Sequence, residues 1–300
     1  MEKISKGKIA DLCLILVAII WGSGFIFVKV ALDTGITPLV TLSVRFTVAS
    51  VILALVFYKK LRTITKKDIL YGSIIGLFLF GGFAFQTIAM QYTTPSKNAF
   101  LTSVNVVIVP FLVIIITKEK PRINSFISAG LCLCGIALIT LNKSLVLSYG
   151  DLLTLVCAFL FAAHIVSVGI FIKKSDPIKL SVIQMIVAAV LSISVSAIFR
   201  DFTFRPDGKG IFAVLYLGLA CTALCFLIQN IAQKYTSSSK ASIILSTEAV
   251  FGTIFSIMIF KEELTINMIM GFIVIFIAII IAESKVTLFK RKVIKVSEVK

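Results

Sequence analysis

The sequence predicts an all-α integral membrane protein with ten transmembrane helices, arranged as two inverted-topology five-helix repeats around a central cavity. Three observations lead to this prediction: the lengths of the apolar runs, the placement of the basic residues, and an internal duplication. Hydrophobic residues make up 59% of the 300 residues, whereas soluble domains contain about 45–50%. Charged residues cluster between apolar runs of about 18–23 residues, a length that matches the hydrocarbon core of a bilayer.

The apolar runs define the spans, and the basic residues define their orientation. Lys and Arg are enriched in cytoplasmic loops. If the N-terminus is cytoplasmic, 22 of the 30 Lys and Arg residues fall in inner segments, six in outer segments and two within spans. We therefore expect a protein of the plasma (inner) membrane with both termini in the cytoplasm. The ten predicted spans lie near residues 9–31, 38–58, 69–91, 97–117, 124–141, 151–172, 178–199, 211–233, 239–260 and 267–284.

The net charge of +16 does not indicate a nucleic-acid-binding protein. The basic residues lie between and after the spans, where they are expected to contact anionic lipid headgroups at the cytoplasmic face. The six cysteines all fall inside apolar runs without a C-x-x-C pair, and His164 is the only histidine. A metal site needs a denser set of ligands, so neither a metal nor a cofactor is predicted.

The chain contains an internal duplication. The segment "QTIAMQYTTPSK" (86–97) matches "QNIAQKYTSSSK" (229–240) at seven of twelve positions, an offset of 143 residues. The predicted repeats cover 9–141 and 150–284, and a basic cytoplasmic tail follows at 285–300. Because five spans is an odd number, the second repeat must enter the membrane from the opposite side. Inverted repeats with a central substrate site are a common construction of secondary transporters.

Four motifs resemble the EamA-type branch of the drug/metabolite transporter superfamily. They are "IIWGSGFIFVK" in the first span, "PLVTLSVRFTVAS" in the second, "YTTPSKNAFLTSVNVVIVP" around the fourth and "STEAVFGTIFSIMIFKEELT" in the ninth. The resemblance covers residues 10–283 and implies ten helices around a central cavity. It also implies transport of small metabolites, often export of amino acids or their relatives. Family members often have proline after the glutamate of the ninth span, whereas Ala249 follows Glu248 here.

Glu248 lies near the middle of the ninth span. A central carboxylate costs about 2.5–3.5 kcal/mol on insertion scales, so it is expected to face the bundle or a hydrated cavity. Two interpretations stay open: a protonated side chain bonded to a neighbouring helix, or a site for a substrate amine or a proton. The repeat-equivalent residue is Asn105, which is either an interhelical hydrogen-bonding residue or a ligand.

Trp21 lies too deep in the first span for the aromatic belt at the membrane interface. It either lines the cavity or packs in the core, and alignment of "ADLCLILVAIIW" with "GDLLTLVCAFLF" pairs it with Phe161. His164 follows Phe161 by about one helical turn and shares its face. A structural role for His164 and a role in substrate or proton binding, paired with Glu248, both stay open.

Further polar residues within the spans complete the candidate site. Arg45 lies about two turns inside its helix, where snorkelling is difficult, and its repeat-equivalent residue is Gln184. Lys29 either snorkels or pairs with Asp33, or else reaches the cavity. A second group of candidates has helix-to-helix hydrogen bonding as its default role: Gln86, Gln229 and Asn230.

Two pairs of residues are assigned structural roles. Lys97 and Lys240 are repeat-equivalent at the starts of spans four and nine, and are expected to snorkel to the interface. Gly72 and Gly76 form a G-x-x-x-G motif that predicts close helix contact.

The leading functional hypothesis is a secondary transporter of small polar metabolites, an exporter of amino acids or related compounds by alternating access. No Walker A motif is present, so a proton is the candidate coupling partner. Cations and a carboxylate in the bundle would suit a zwitterion. The alternatives are a membrane sensor or assembly protein without transport, and an intramembrane enzyme that uses His164 and Glu248.

Overall fold

The computed structural model describes residues 6–118, 123–140, 148–203, 207–261 and 265–283, and this part of the chain is helical without strands. The C-terminal ends of both predicted repeats, at 141 and 284, and the predicted tail at 285–300 lie outside the described residues. A π-helical segment, Leu217–Leu224, lies between α10 and α11. The helices are α1 Lys6–Asp33, α2 Pro38–Val56, α3 Tyr58–Leu61, α4 Lys66–Ala89, α5 Pro95–Ser103, α6 Asn105–Thr117, α7 Ile123–Thr140, α8 Tyr149–Phe171, α9 Pro177–Ile198, α10 Gly208–Tyr216, α11 Cys225–Ala232, α12 Ser238–Leu245, α13 Glu248–Phe260 and α14 Ile266–Glu283.

Within the described residues, eight helical segments are long and apolar enough to cross a membrane. The fifth and tenth predicted spans correspond to α7 and α14, whose apolar stretches are the shorter Ile123–Gly135 and Ile269–Ala278. The eight longer segments overlap the other predicted spans, and three of them combine two or more helical elements. These eight are α1, α2, α4, α5–α6, α8, α9, α10–α11 and α12–α13.

Local sequence explains where several helices begin. Thr65 and Asp68 form a capping box at the start of α4, and Ser148 and Asp151 form another at the start of α8. In each box the hydroxyl accepts from the N3 backbone amide and the carboxylate accepts from the cap residue, so two unpaired amides are satisfied. These caps begin the helices at polar segments and leave the apolar runs to cross the membrane.

The fourth and ninth predicted spans are both broken near their middle. α5 ends at Ser103 and α6 begins at Asn105, while α12 ends at Leu245 and α13 begins at Glu248. α6 and α13 then end at lysines with left-handed backbone, Lys118 (φ 58°) and Lys261 (φ 55°). The starts and ends of α6 and α13 differ by the 143 residues that separate the two sequence repeats.

The two broken segments meet at their breaks and run antiparallel. The Ser103 hydroxyl donates to the carbonyl oxygen of Ser246 over 3.2 Å, and these serines are also 143 residues apart. Earlier in α5, Ala99 Cβ lies 3.2 Å from the position that a Cβ on Gly252 of α13 would occupy. Contacts closer to the N-terminus of the first segment therefore lie closer to the C-terminus of the second, which makes the two segments antiparallel. The starts of α5 and α12 consequently lie at opposite ends of the bundle.

A lysine at the start of each broken segment forms an ion pair with the other half of the chain. Lys97 Nζ lies 2.6 Å from Asp151 Oδ2 on α8, and Lys240 Nζ lies 2.7 Å from Asp11 Oδ2 on α1. The prediction from their position in the sequence is that both lysines snorkel to the interface. Each instead pairs with a buried or nearly buried aspartate in the first turns of a spanning helix, where the carboxylate needs a cation to offset its desolvation.

Glycines allow the closest helix contacts. A Cβ on Gly72 would lie 2.5 Å from Ile183 on α9, and a Cβ on Gly76 would lie 2.9 Å from the carbonyl oxygen of Gln184. The contact predicted from the G-x-x-x-G motif is confirmed, between α4 and α9. Gly22 has the same role between α1 and α13.

A Gly22→Ala substitution is expected to lower the thermal stability of the detergent-solubilised protein. The added Cβ would lie 2.6 Å from Phe251 Cβ and 2.8 Å from the Gly252 nitrogen, so backbone must move. Overpacking of this kind costs about 1–3 kcal/mol. Gly130→Ala is the control, because no atom lies within 4 Å of its added Cβ. Equal melting temperatures for the two variants would contradict the proposed contact.

Candidate functional site

A cavity lies at the centre of the described bundle, between helices of both halves of the chain. Residues from both halves of the chain line it in equal number. The first half contributes Trp21, Gly24, Phe25, Val28, Arg45, Phe83, Gln86, Met90 and Asn105. The second half contributes Phe161, His164, Ile165, Leu217, Cys221, Phe226, Gln229, Leu245 and Glu248.

Many of the lining residues occupy repeat-equivalent positions. The shared offset pairs two phenylalanines, two glutamines, and the residues that begin the second half of each broken helix. The alignment of the first helix of each half adds two aromatic residues. These pairs are Phe83 with Phe226, Gln86 with Gln229, Asn105 with Glu248, and Trp21 with Phe161. The cavity thus lies where corresponding surfaces of the two halves face each other.

Glu248 is the first residue of α13, immediately after the break in the ninth span. Its side chain is 6% exposed and lines the cavity. Among the described residues it has no side-chain hydrogen bond and no ion pair. The backbone amides of the first turn of α13 bond carbonyl oxygens of Ser246 and Thr247, so the backbone provides no described partner for the carboxylate. A ligand or a proton could therefore neutralise the carboxylate from the cavity side.

Asn105 begins α6 in the corresponding position of the first half. Its Nδ2 donates to the carbonyl oxygen of Thr102 over 3.0 Å, while its buried Oδ1 has no hydrogen-bond partner within the described part of the chain. Gln86, also on the cavity wall, donates from Nε2 to the Thr102 hydroxyl over 3.1 Å. The amide of Gln86 thus connects α4 to α5, whereas the Asn105 oxygen is buried without a described partner.

Arg45 reaches the cavity from α2 and is 2% exposed. Its Nε donates to the Thr222 hydroxyl over 3.0 Å, and its Cζ lies 4.1 Å from the centroid of the Phe83 ring. No described carboxylate forms an ion pair with it. A buried guanidinium in this setting is stabilised by one hydrogen bond and by cation–π contact.

Trp21 is at the junction of the apolar clusters around the cavity. Its indole packs against three of them and lies 4.9 Å, centroid to centroid, from Phe226. Its Nε1 donates to the carbonyl oxygen of Cys221 over 2.8 Å. Both interpretations from the sequence therefore apply, since Trp21 packs in the core and also lines the cavity.

His164 and Gln184 form a buried pair. His164 Nε2 lies 3.1 Å from Gln184 Oε1, and the imidazole makes an edge contact with Phe226 at 5.5 Å between centroids. His164 lines the cavity, whereas Gln184 stands behind it and is outside the lining. His164 and Glu248 share the same cavity without a hydrogen bond or ion pair between their side chains. No group of three or more His, Cys, Asp or Glu side chains able to hold a metal occurs among the described residues.

The remaining polar residues predicted from the sequence lie in different places. Lys29 is outside the cavity lining and pairs with Asp33 at 2.5 Å on an exposed surface. Asn230 Nδ2 donates to the Ser181 hydroxyl over 2.8 Å, which connects α11 to α9. Gln229 lines the cavity, and its Oε1 has no described hydrogen-bond partner.

Two features of the site are not predicted from the sequence. Phe83 and Phe226 contact each other at 5.8 Å between ring centroids and lie on the cavity wall. Their 143-residue separation could have revealed them, because it is the offset of the duplication. The π-helical segment Leu217–Leu224 was also not predicted, since an i→i+5 bonding pattern leaves no distinct composition in an apolar run.

Comparison with known proteins identifies the family. The sequence model of the EamA-like transporter family matches residues 8–141 and 148–283. The chain belongs to the EamA-like transporter family. This family is part of the drug/metabolite transporter superfamily, so the resemblance seen in the four sequence motifs is confirmed. The EamA-like protein is therefore a multi-pass membrane transporter with a small-molecule substrate.

Individual relatives agree with the family assignment. The EamA-like chain is 34% identical to an uncharacterized transporter of Archaeoglobus fulgidus over 281 residues, covering 94% of this chain and 88% of the relative. It is 26% identical to the uncharacterized transporter YoaV of Bacillus subtilis, covering 87% and 92% of the two chains. One solved crystal structure superposes with a TM-score of 0.76 at 15% identity, covering 94% of this chain and 97% of that one, which shows a shared fold.

We expect Trp21, the only tryptophan of the EamA-like chain, to be accessible to water from the cavity. In nanodiscs, aqueous acrylamide is expected to quench its fluorescence, whereas brominated lipid is not. The matched control is Trp21→Phe combined with Phe111→Trp, because Phe111 is 52% exposed on an apolar helix surface. That control should show the reverse pattern. Quenching of Trp21 by the lipid and not by acrylamide would contradict a hydrated cavity.

Proposed function

We propose that this protein is a secondary transporter that exports amino acids or related small zwitterions by alternating access, with a proton as the coupling ion. The observation that supports this most is the central cavity, whose wall carries an unpaired carboxylate, Glu248, and an unpaired guanidinium, Arg45. A zwitterion brings one charge of each sign and can neutralise both. Its binding would offset the cost of keeping these groups out of water.

The proposed architecture has ten spanning helices in two inverted repeats, covering 9–141 and 150–284. Three observations support it. α6 and α13 begin and end 143 residues apart, and α5–α6 crosses α12–α13 antiparallel. The lining residues of the two halves also form repeat-equivalent pairs. Inverted repeats provide two related halves that rock around a fixed site. With both termini in the cytoplasm, Lys240 lies at the inner end of the bundle and Lys97 at the outer end.

Alternating access also requires contacts that close each end. The Lys97–Asp151 and Lys240–Asp11 ion pairs are suited to this role because each joins the two halves. They involve repeat-equivalent lysines at opposite ends of the bundle. Opening one end would separate one pair while the other pair stays formed. The two pairs therefore form matched outer and inner gates in the proposed cycle.

The function is tested by flux in proteoliposomes. A panel of neutral amino acids is expected to show saturable transport that a transmembrane proton gradient accelerates. Glu248→Gln is expected to remove the acceleration, because an amide cannot bind and release the proton. Purified yield and elution as a single species report folding, since Gln preserves the shape of Glu.

The outcomes of this experiment separate the parts of the proposal. Absence of saturable flux for every amino acid in the panel would reject the substrate class and favour a sensor or assembly role. Flux that responds to pH equally in the wild type and in Glu248→Gln would reject the proton role alone.

The gates make a second prediction for the same assay. Lys97→Asp should lower flux by about tenfold or more, because it leaves the buried Asp151 carboxylate facing a like charge. The double exchange Lys97→Asp with Asp151→Lys should recover the part of that loss that comes from the like charges, while it also removes the capping box that Asp151 forms with Ser148. Lys67→Asp is the charge-matched control, since Lys67 is exposed in the first turn of α4. A double exchange no better than the single variant would argue against a gate at this pair.

A further inference from the structure

We propose that Thr222 is a positioning residue that holds the Arg45 guanidinium in place to bind the carboxylate of the substrate. The proposal rests on the proposed function, because it assigns a role within the same cavity. It identifies the anionic group that the cavity recognises and the residue that orients its partner.

The contacts of Arg45 leave one part of the guanidinium available. Nε donates to the Thr222 hydroxyl over 3.0 Å, and Cζ lies 4.1 Å from the centroid of the Phe83 ring. These two contacts restrict the position of the guanidinium. Among the described residues no hydrogen bond or ion pair involves the two terminal nitrogens. Two parallel N–H groups at the end of a fixed plane match the two oxygens of a carboxylate.

The hydroxyl of Thr222 can act only as an acceptor toward Arg45. Its own proton is donated to the carbonyl oxygen of Leu217 over 2.7 Å. Leu217 precedes Thr222 by five residues, which is the spacing of the π-helical segment Leu217–Leu224. The segment therefore orients an oxygen lone pair at Nε. π-Helical turns often occur at functional sites, and here the turn supplies a directed acceptor.

Close packing brings this segment to α2. A Cβ on Gly218 would lie 2.9 Å from Val48 Cβ and 3.2 Å from the carbonyl oxygen of Arg45. Glycine at this position lets the π-helical segment approach near enough for the hydroxyl of Thr222 to reach Nε. The position of the guanidinium is thus set by backbone packing as well as by the hydrogen bond.

The second half of the chain lacks an equivalent arrangement. The residue that corresponds to Arg45 is Gln184, which bonds His164 and lies outside the cavity lining. The residue that corresponds to Thr222 is Leu79, a fully buried apolar side chain. The cavity therefore offers one cationic position for an anion, although its walls come from related halves. A single anchored carboxylate gives the substrate one orientation in the site.

The test measures binding separately from transport. Trp21 lines the cavity, donates to the carbonyl of Cys221 beside Thr222, and is the only tryptophan, so its fluorescence reports occupancy. The probes are L-leucine and L-leucinamide, which differ in the carboxylate and share an apolar side chain suited to the aromatic wall. Wild-type protein in nanodiscs should bind leucine with a lower Kd than leucinamide.

Four variants test whether Thr222 acts on carboxylate binding through Arg45. Thr222→Val should weaken leucine binding by about tenfold, as expected for loss of one hydrogen bond to a charged group, and should leave leucinamide within about twofold. Thr222→Ser keeps the acceptor and should restore wild-type selectivity. Arg45→Lys keeps the charge but removes the two parallel N–H groups that match a carboxylate, and it should lose the same selectivity. Thr154→Val is the matched control, because Thr154 is a buried helical threonine that bonds only its own helix at 2.7 Å.

Several results would overturn the proposal. One is equal Kd values for leucine and leucinamide in the wild type. Another is no saturable change of Trp21 fluorescence with leucine, and a third is the same leucine Kd in Thr222→Val and Thr154→Val. If Thr222→Val does not fold, loss of selectivity in Arg45→Lys together with its retention in Thr222→Ser still supports the proposal, and unchanged selectivity in Arg45→Lys overturns it. Selective leucine binding without flux in proteoliposomes would reject transport of leucine and would support the carboxylate site.

Discussion

The dominant constraint on this structure is the cost of keeping polar and charged groups inside an apolar bundle. Two of the described ion pairs follow from it: Lys97 with Asp151 and Lys240 with Asp11 satisfy charges in the first turns of spanning helices. The buried Gln86 and Asn230 side chains bond neighbouring helices for the same reason. Glu248 and Arg45 are the exceptions that line the cavity without a described opposite charge, and they are the basis for proposing a binding site there.

The related halves explain the form of the cavity, and the differences between them explain its chemistry. Equivalent helix breaks bring Ser103 and Ser246 into contact, and equivalent aromatic residues line the cavity from both halves. At several equivalent positions the halves carry different groups. Asn105 is matched by Glu248, and Arg45 by Gln184. In the proposed transport cycle, the related halves would rock between two states, and their unequal polar groups would set the orientation of the substrate.

How much could be predicted depended on whether a feature is local in sequence. The membrane-spanning runs, the duplication and the family resemblance all come from composition and spacing, and so they were accessible without coordinates. Placement in the cavity was not, as Lys29 and Gln184 show. Lys29 pairs within its own helix, and Gln184 stands behind His164, although both sit in spans as Arg45 does. Periodicity places a residue on a helix face, but the rotation of that helix against its neighbours is set by packing.

Apolar length, basic residues and repeated motifs are properties of the linear chain, and they are enough to predict a duplicated, polytopic membrane protein of the EamA-like family. Which buried polar groups are satisfied by the protein is set by the packing of the helices. Thr222 meets Arg45 across 177 residues, and Lys240 meets Asp11 across 229. Such pairs depend on how the helices cross, and the glycines that permit the closest crossings act through space and not through their neighbours in sequence.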